Sequence, residues 1–152
     1  MQVRGLWKPC VSPPEPSGRL KTKKEEDFHG VPGGHEFTPF VLGLYNAAGP
    51  GQPLEEEIKK RIHRLSGPFD LRILVSLSCT LCPELVIAAQ KIAAENPGIC
   101  AEVYDLGHFP ELKEKYQVMS VPCLLINDKK PLFGKKSMEQ LVEMLENIEK
   151  GQ

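Results

Sequence analysis

The residues of this sequence best suited to chemistry are two cysteines in the stretch LSCTLCPE, residues 77–84. Cys79 and Cys82 follow the apolar run 72–77 and precede a segment with the pattern of a helix. The first turn of a helix carries amide hydrogens without internal partners and a partial positive charge. A thiolate is stabilised there, and in such CxxC motifs the thiol pKa falls from about 8.5 to between roughly 3.5 and 7.5.

This placement predicts a two-step thiol–disulfide exchange. Cys79 is expected to be the accessible, attacking thiolate, and Cys82 the less exposed thiol that resolves the mixed disulfide. Two other interpretations stay open. A zinc site needs four ligands and usually a second cysteine pair, whereas Cys10, Cys100 and Cys123 are isolated in the sequence. Alternatively, both cysteines are small, inert core residues.

A proline further along the chain supports the redox interpretation. Pro122 lies in VMSVPCLLI, residues 118–126, just before a predicted strand. Its position matches the cis-proline loop that faces the CxxC motif in thioredoxin folds, although only about 5–6% of X-Pro bonds in folded proteins are cis. We therefore predict a cis Val121–Pro122 bond. The alternative is an ordinary trans proline that opens an edge strand.

Length, charge and composition narrow the class of protein. With 152 residues, the chain is long enough for one domain with a hydrophobic core. A net charge of −1 gives no basic footprint, so nucleic acid is not an expected partner. Neither a secretory signal nor an apolar stretch of roughly 20 residues is present, so no membrane is expected. Five irregularly spaced cysteines do not resemble a secreted disulfide scaffold, which favours a cytoplasmic location.

The composition divides the chain into three parts. Residues 1–27 hold four prolines and the charged run KTKKEED, and we predict an irregular or disordered segment. Residues 28–66 show two helical patterns, which predict an N-terminal helical extension. Their apolar positions are Phe37, Phe40, Val41 and Leu44, then Leu54, Ile58, Ile62 and Leu65.

Residues 67–150 are predicted to form a small α/β domain. The segments are strand LRILVSL, helix PELVIAAQKIAAEN, strand ICAEVYDL, a short helix from Phe109 to Tyr116, and a hairpin of CLLIND and KPLF joined at 127–130. A capping box of Ser137 and Gln140 begins the last helix. The order βαβ, helix, ββα predicts a small mixed sheet with helices on both faces.

Three motifs together resemble a known family. GGHEFTPFVLGL (33–44), VSLSCTLCPELVIAAQ and VMSVPCLLIND are similar to a thioredoxin/glutaredoxin-like fold, most of all to the N-terminal domain of the bacterial alkyl hydroperoxide reductase flavoprotein subunit. The resemblance covers residues 28–148. In that family the domain contains two fused thioredoxin folds and relays electrons from a flavin-containing reductase to a peroxiredoxin. The extension at 28–66 would then be a remnant of the first fold.

The resemblance also implies roles for single residues. Cys79 and Cys82 would be the catalytic couple and Pro122 the cis-proline. Glu36, in the GHEF motif, would be a carboxylate beside the dithiol, and a buried carboxylate with a raised pKa can shuttle the proton of each exchange step. The alternative for Glu36 is an exposed side chain that assists the following helix start. His35 is expected to be a turn or packing residue.

The residues around the couple are expected to bind the substrate. Val121 would offer backbone groups to an extended segment of the partner, and Thr80 and Leu81 between the cysteines would contact it. Cys123, directly after Pro122, is unusual for the family. It is either a third thiol near the couple or, by strand alternation, a buried core residue.

The sequence therefore predicts a thiol–disulfide oxidoreductase that passes electrons to a protein disulfide, plausibly of a peroxiredoxin. No GxGxxG motif follows a strand, so no flavin or nicotinamide cofactor is expected. Electrons would come from a separate reductase, in the family a flavoprotein, or from a low-molecular-weight thiol. The alternative function is a non-catalytic thioredoxin-like adaptor or thiol sensor.

Overall fold

The computed structural model describes residues 26–31 and 33–151, with side chains from residue 29 onward. Its strands are β1 (Glu26–His29), β2 (Phe69–Val75), β3 (Ile99–Asp105), β4 (Cys123–Ile126) and β5 (Leu132–Phe133). Its helices are α1 (Phe37–Ala48), α2 (Glu56–Arg64), α3 (Cys82–Glu95), α4 (Pro110–Lys115) and α5 (Met138–Lys150). A short 3-10 turn, Gly34–Glu36, precedes α1.

The five strands form one mixed sheet in the order β1-β3-β2-β4-β5. β2 and β3 run parallel and are connected by α3, with Phe69 opposite Ile99 and Val75 opposite Asp105. β4 is antiparallel to β2, and β5 completes the hairpin. This arrangement confirms the predicted βαβ, helix, ββα order.

A larger core lies between one face of the sheet and helices α2, α3 and α5. Successive side chains of a strand point to opposite faces, so Leu71, Ile73 and Val75 of β2 all enter this core. α3 packs closely because small residues line its buried side, among them Ala89 and Ala93. The helix that begins at the CxxC motif is thus held firmly on the sheet.

A smaller core lies on the opposite face, where α4 covers the sheet. Its buried members are Leu74, Val118, Cys123 and Leu125, with Leu112 and Tyr116 packed against them. Arg72 of β2 also points to this side and forms ion pairs with Glu102 at 3.3 Å and Asp128 at 2.7 Å. Helices therefore cover both faces, as predicted.

One strand was not predicted. Glu26–His29 pairs in parallel with β3 at the edge of the sheet, although the composition predicts an irregular segment up to residue 27. The charged sequence EDFH gives no strand pattern, but an edge strand needs one hydrogen-bonded neighbour only and tolerates charge. The rest of that segment, residues 1–25, lies outside the described residues. The division of the chain at residues 27 and 66 stays a prediction.

Local signals for the C-terminal elements are confirmed. The turn of the hairpin places Asn127 and Asp128 at φ of +52° and +56°, a conformation that these two residue types tolerate well. Ser137 Oγ accepts a hydrogen bond from the amide of Gln140 (3.3 Å), and the Gln140 side chain accepts one from the amide of Ser137 (3.0 Å). Among the described residues, no helix is both long and apolar enough to cross a membrane.

Candidate active site

The two cysteines of the CxxC motif lie where β2 leads into α3. β2 ends at Val75 and α3 begins at Cys82, so Cys79 belongs to the connecting turn. The amide of Cys79 donates to the carbonyl of Ser76 at 2.9 Å, which closes this turn. Cys79 is half-buried, Cys82 is 0% exposed, and both are free thiols. Their burial agrees with an outer and an inner thiol.

The surroundings of Cys82 favour its protonated form. Burial raises the pKa of the Cys82 thiol, and interactions with the Cys79 thiol and with the charge of Glu36 raise this pKa further. A hydrogen bond with the backbone of Ser76 acts in the opposite direction. Because the thiolate is the nucleophile in disulfide exchange, Cys82 needs a base beside it before it can attack.

Selective alkylation is the first expected result of this geometry. Iodoacetamide at neutral pH should modify Cys79 at least about tenfold faster than Cys82, because the inner thiol is buried and mostly protonated. Peptide mass spectrometry over a time course gives both rates. Cys123, which is also buried and whose pKa burial raises to about 11, reports labelling through unfolding. Equal, slow labelling of all three thiols would contradict the prediction.

The loop before β4 packs against the couple. The Val121–Pro122 peptide bond is cis, so the cis prediction is confirmed and the trans alternative is wrong. The Cys79 thiol donates a hydrogen bond to the carbonyl oxygen of Val121, with 3.9 Å between sulfur and oxygen. Pro122 itself is buried. The Val121 backbone thus lies in direct contact with the outer thiol.

Glu36 reaches this site from the segment before α1. The amide of His35 donates to the carbonyl of Leu77 at 3.0 Å, which ties the 3-10 turn to the loop that carries Cys79. The Glu36 side chain is 0% exposed, and neither carboxylate oxygen has a hydrogen-bond partner among the described residues. The interpretation of Glu36 as an exposed helix-start residue is therefore wrong. His35 is exposed and acts through its backbone, as a turn residue.

The burial of Glu36 changes its proton affinity. Desolvation raises the pKa of Glu36 from 4.5 to about 7, and the negative charge of Asp105 contributes in the same direction. Glu36 in turn acts on the Cys82 thiol, so the two groups are electrostatic neighbours. A carboxyl that titrates near neutrality can both accept and release a proton at physiological pH. Glu36 thus acts electrostatically on the dithiol without a hydrogen bond to either sulfur. Its place within reach of a sulfur and its part in proton transfer stay predictions.

Gly34 allows the turn to approach the active-site loop. Its φ is +52°, and a Cβ at this position would overlap the carbonyl oxygen of Leu77. Gly34→Ala should lower the free energy of unfolding by about 2–4 kcal/mol, since a left-handed backbone conformation costs roughly 1–2 kcal/mol and the overlap adds a similar amount. Urea denaturation at one pH measures the change.

Gly134→Ala is the matched control for that variant. Gly134 also has a positive φ, +86°, but an added Cβ would meet nothing within 4 Å. This control should therefore show the conformational cost alone. Equal losses of stability in the two variants would mean that the contact between Gly34 and Leu77 is not tight.

Asp105 and His108 lie at the end of β3 and just after it, and the sequence patterns did not single them out. Asp105 ends β3 directly beside Val75, at the edge of the sheet from which the CxxC turn departs. One of its carboxylate oxygens accepts from the Gly107 amide at 3.0 Å, and the other lies 2.7 Å from Nδ1 of His108. The sequence contained a signal for Asp105. Neighbouring parallel strands end at the same edge of a sheet, so the aspartate that ends ICAEVYD falls on the edge from which the CxxC turn departs.

The surface around the outer thiol carries exposed side chains. Thr80 and Leu81, between the cysteines, are exposed, whereas Val121 is half-buried. Met119, two residues before Val121, is 87% exposed and was not singled out in the sequence. Contiguous apolar patches on a surface often mark binding sites, whereas single exposed apolar side chains are ordinary. Substrate contact by Val121, Thr80 and Leu81 stays a prediction.

Cys123 belongs to the smaller core. It is buried among Leu74, Val118 and Leu125, on the side of the sheet opposite the cluster that contains Cys82. Burial raises the pKa of this thiol to about 11. Of the two interpretations left open by the sequence, the structure therefore supports the core residue.

No cluster of three or more histidine, cysteine, aspartate or glutamate side chains that could hold a metal ion occurs within residues 26–31 and 33–151. Zinc sites in proteins are almost always four-coordinate. Within the described part of the chain, Cys79 and Cys82 thus lack the further ligands that such a site requires.

The fold and the CxxC–cis-proline pair define a thioredoxin-like protein. The family model described as a thioredoxin domain matches residues 69–146, just over half of the chain. The chain belongs to the thioredoxin domain family. The match begins with β2, so it contains the couple and Pro122 but not Glu36.

Individual relatives confirm the narrower resemblance. An alkyl hydroperoxide reductase subunit from Pseudomonas aeruginosa is 35% identical over 124 residues, which cover 82% of this chain and 23% of that protein. The NTD_N/C domain of alkylhydroperoxide reductase from Enterococcus faecalis is 44% identical, with a TM-score of 0.73, over 78% of this chain and 56% of that one. A protein disulfide oxidoreductase from Aeropyrum pernix is 27% identical, with a TM-score of 0.72, over 82% of this chain and 56% of that one. The chain thus spans about a quarter of the length of the curated relatives that it matches.

Proposed function

We propose that this protein is a thiol–disulfide oxidoreductase whose Cys79–Cys82 couple passes two electrons to a protein disulfide. The observation that carries the proposal is the graded burial of the two free thiols, with a carboxyl of pKa about 7 beside the inner one. Relatives named as an alkyl hydroperoxide reductase and as a protein disulfide oxidoreductase support the same class of reaction.

The exchange proceeds in two nucleophilic steps. The Cys79 thiolate attacks one sulfur of the partner's disulfide, forms a mixed disulfide and releases the other sulfur as a thiolate, which takes up a proton. Glu36 then accepts the proton of Cys82, and the resulting thiolate attacks the Cys79 sulfur. The second partner thiol leaves with a proton. The couple ends as a Cys79–Cys82 disulfide and the partner as a dithiol.

The resemblance to the alkyl hydroperoxide reductase flavoprotein supports a peroxiredoxin as the electron acceptor. It supports a separate flavoprotein reductase as the donor that returns the couple to the dithiol, and a low-molecular-weight thiol is the alternative donor. A reducing compartment such as the cytoplasm suits this cycle, since the dithiol is the form that attacks. The exposed side chains of Leu81 and Met119 supply apolar surface for an acceptor that docks at Cys79.

The reduction potential of the couple tests the proposal. Equilibration in glutathione buffers of stepped composition, followed by mass spectrometry of the trapped thiols, should give a value between roughly −270 and −200 mV, the span of thioredoxin and glutaredoxins. The reduced protein should then reduce an oxidised peroxiredoxin in stoichiometric amount. A couple that no donor reduces, or that leaves every protein disulfide untouched, would point to the non-catalytic adaptor or thiol sensor instead.

A further inference from the structure

Helix α1 presents an apolar face to solvent. Its sequence, FTPFVLGLYNAA, contains no charged residue, although a surface helix usually carries charged and polar side chains on its outer side. The inner side packs on α3, where a Cβ added to Gly43 would lie 2.9 Å from Oε1 of Gln90. The outer side holds large apolar side chains that are 39% to 56% exposed, namely Phe37, Val41, Leu44 and Tyr45.

These four side chains form one surface, which we call the α1 stripe. Their positions are i, i+4, i+7 and i+8, which share one face of a helix. Two of the four are aromatic, Phe37 in the first turn and Tyr45 in the third. A contiguous exposed apolar patch of this kind is typical of a binding surface. The α1 stripe therefore suits an apolar or proline-rich segment rather than a charged one.

Residues 1–25 lead directly to this surface. They precede β1, and β1 contacts α1. The ten-residue span from Pro16 to Glu26 reaches at most about 35 Å when extended. The twelve residues of α1 form a helix only about 18 Å long. A segment that ends at Pro16 can therefore reach any part of the α1 stripe.

The composition of that segment fits an aromatic surface. Its sequence up to residue 16, MQVRGLWKPCVSPPEP, contains Trp7, the only tryptophan of the chain, and the PxxP motif PPEP at 13–16. Segments with PxxP motifs favour the polyproline II helix, lose little entropy on binding and dock on aromatic-lined surfaces. A segment bound in this way forms neither an α-helix nor a strand, in agreement with the irregular structure that the composition predicts.

We propose that residues 6–16 of this chain dock on the α1 stripe, with Trp7 and the PPEP motif against the rings of Phe37 and Tyr45. Because segment and stripe belong to one chain, the effective concentration of the segment is in the millimolar range, and an affinity too weak for separate molecules suffices. Phe37 directly follows Glu36, so the docked segment also borders the 3-10 turn. This docking does not depend on the exchange chemistry proposed for the couple.

The fluorescence of Trp7 tests the proposal in the 152-residue chain, because no other tryptophan contributes. In the unaltered protein, the emission should lie at shorter wavelength than in the urea-unfolded chain, and acrylamide should quench it weakly. Val41→Lys places a charge in the middle of the α1 stripe, at a side chain that is already 45% exposed, so the fold should tolerate it. Its emission should move to the unfolded position, and the acrylamide quenching constant should rise severalfold.

A second variant and a matched control accompany this measurement. Tyr45→Ser removes one ring of the α1 stripe without adding charge and should also raise the quenching constant. Asn147→Lys adds the same charge as Val41→Lys at an exposed position of α5 and should leave emission and quenching unchanged. Far-UV circular dichroism should be the same in all variants, which shows that the helices are kept.

Three results would overturn the proposal. The first is a Trp7 that is as exposed in the unaltered protein as in the unfolded chain. The second is a Trp7 that stays equally shielded in Val41→Lys and Tyr45→Ser, which would place its contacts elsewhere. The third is shielding that appears only as the protein concentration rises, together with a dimer mass in sedimentation. That result would assign the α1 stripe to a second copy of the chain.

Discussion

We expect Cys79→Ser to abolish the reduction of a protein disulfide, and Cys82→Ser to keep the first step and accumulate a mixed disulfide. The half-buried Cys79 is the sulfur that a partner can reach, and its replacement leaves only a fully buried thiol with a raised pKa. Without Cys82, the mixed disulfide lacks the internal thiol that would resolve it. Non-reducing electrophoresis of each variant with an oxidised protein substrate measures the outcome.

The expected loss in Cys79→Ser is at least about a thousandfold in rate, since an alcohol at this position has no comparable nucleophilicity. Cys123→Ala serves as a control for cysteine replacement as such, because Cys123 lies in the smaller core, away from the couple. It should lower stability and leave the exchange rate near that of the unaltered protein. Mixed disulfides that form equally well in Cys79→Ser and Cys82→Ser would reverse the assignment of the two thiols.

The second large effect concerns the pH dependence of stability in Glu36→Gln. The pKa of Glu36 is about 7 in the folded protein and 4.5 in its ordinary state. Between these two pH values the folded chain keeps a proton that the unfolded chain has released. Stability therefore falls as the pH rises through this window, and the loss is complete above the folded pKa.

Glu36→Gln removes this contribution. The unaltered protein should lose up to about 3 kcal/mol in free energy of unfolding from the lower to the upper end of this pH window, as the shift of the Glu36 pKa implies. The variant should not show this loss. The informative quantity is the difference in stability between two pH values. The stability at one pH also contains the cost of burying an amide without hydrogen-bond partners at position 36. Urea denaturation across the window gives the difference, and Glu57→Gln, at an exposed position of α2, should give none.

The same variant should be slower in exchange. General acid–base catalysis contributes about 10²–10⁴-fold. Attack by Cys82 on a mixed disulfide of Cys79 with the aromatic disulfide 5,5′-dithiobis(2-nitrobenzoate), followed as release of the coloured thiolate, should therefore slow by about a hundredfold near and just above pH 7, where Glu36 is deprotonated and Cys82 is still a thiol. At lower pH Glu36 itself holds a proton, and the difference should shrink. At high pH Cys82 ionises unaided and the difference should shrink. A variant that gains stability with pH but exchanges at the normal rate would make Glu36 a buried carboxyl without a part in the chemistry.

Much of the fold follows from local signals in the sequence. The Ser137–Gln140 capping box, the hairpin turn at Asn127 and Asp128, and the Ala-rich helix after the CxxC motif each specify their own element. β1 could not be predicted in this way. Its sequence EDFH carries no alternating pattern, and the strand exists because β3 offers an unpaired edge.

The residues of the candidate site also differ in how well local sequence motifs predict them. Cys79, Cys82 and Pro122 lie in short motifs with a recognisable order, so their placement could be predicted. The burial of Glu36 depends on Gly34 and on a contact with Leu77, more than 40 residues away in sequence, and only the resemblance indicated it. The influence of Asp105 on Glu36 joins the end of β3 to the segment before α1, and strand and helix patterns do not contain such a pairing.

The contact between Gly34 and the active-site loop joins two parts of the chain, of which only the loop lies within the thioredoxin domain match. The thioredoxin domain match begins at residue 69, so it contains both cysteines of the couple, while Glu36, the proposed proton acceptor, lies outside it. Grafting residues 69–146 into another protein would transplant a dithiol without its carboxyl. Conversely, if Glu36 takes the proton of Cys82 as proposed, substitutions in the 3-10 turn would change the pH at which the couple works and leave both thiols as they are. Under the proposed function, the reactivity of the couple and the pH at which it works could therefore change independently, in evolution and in the laboratory.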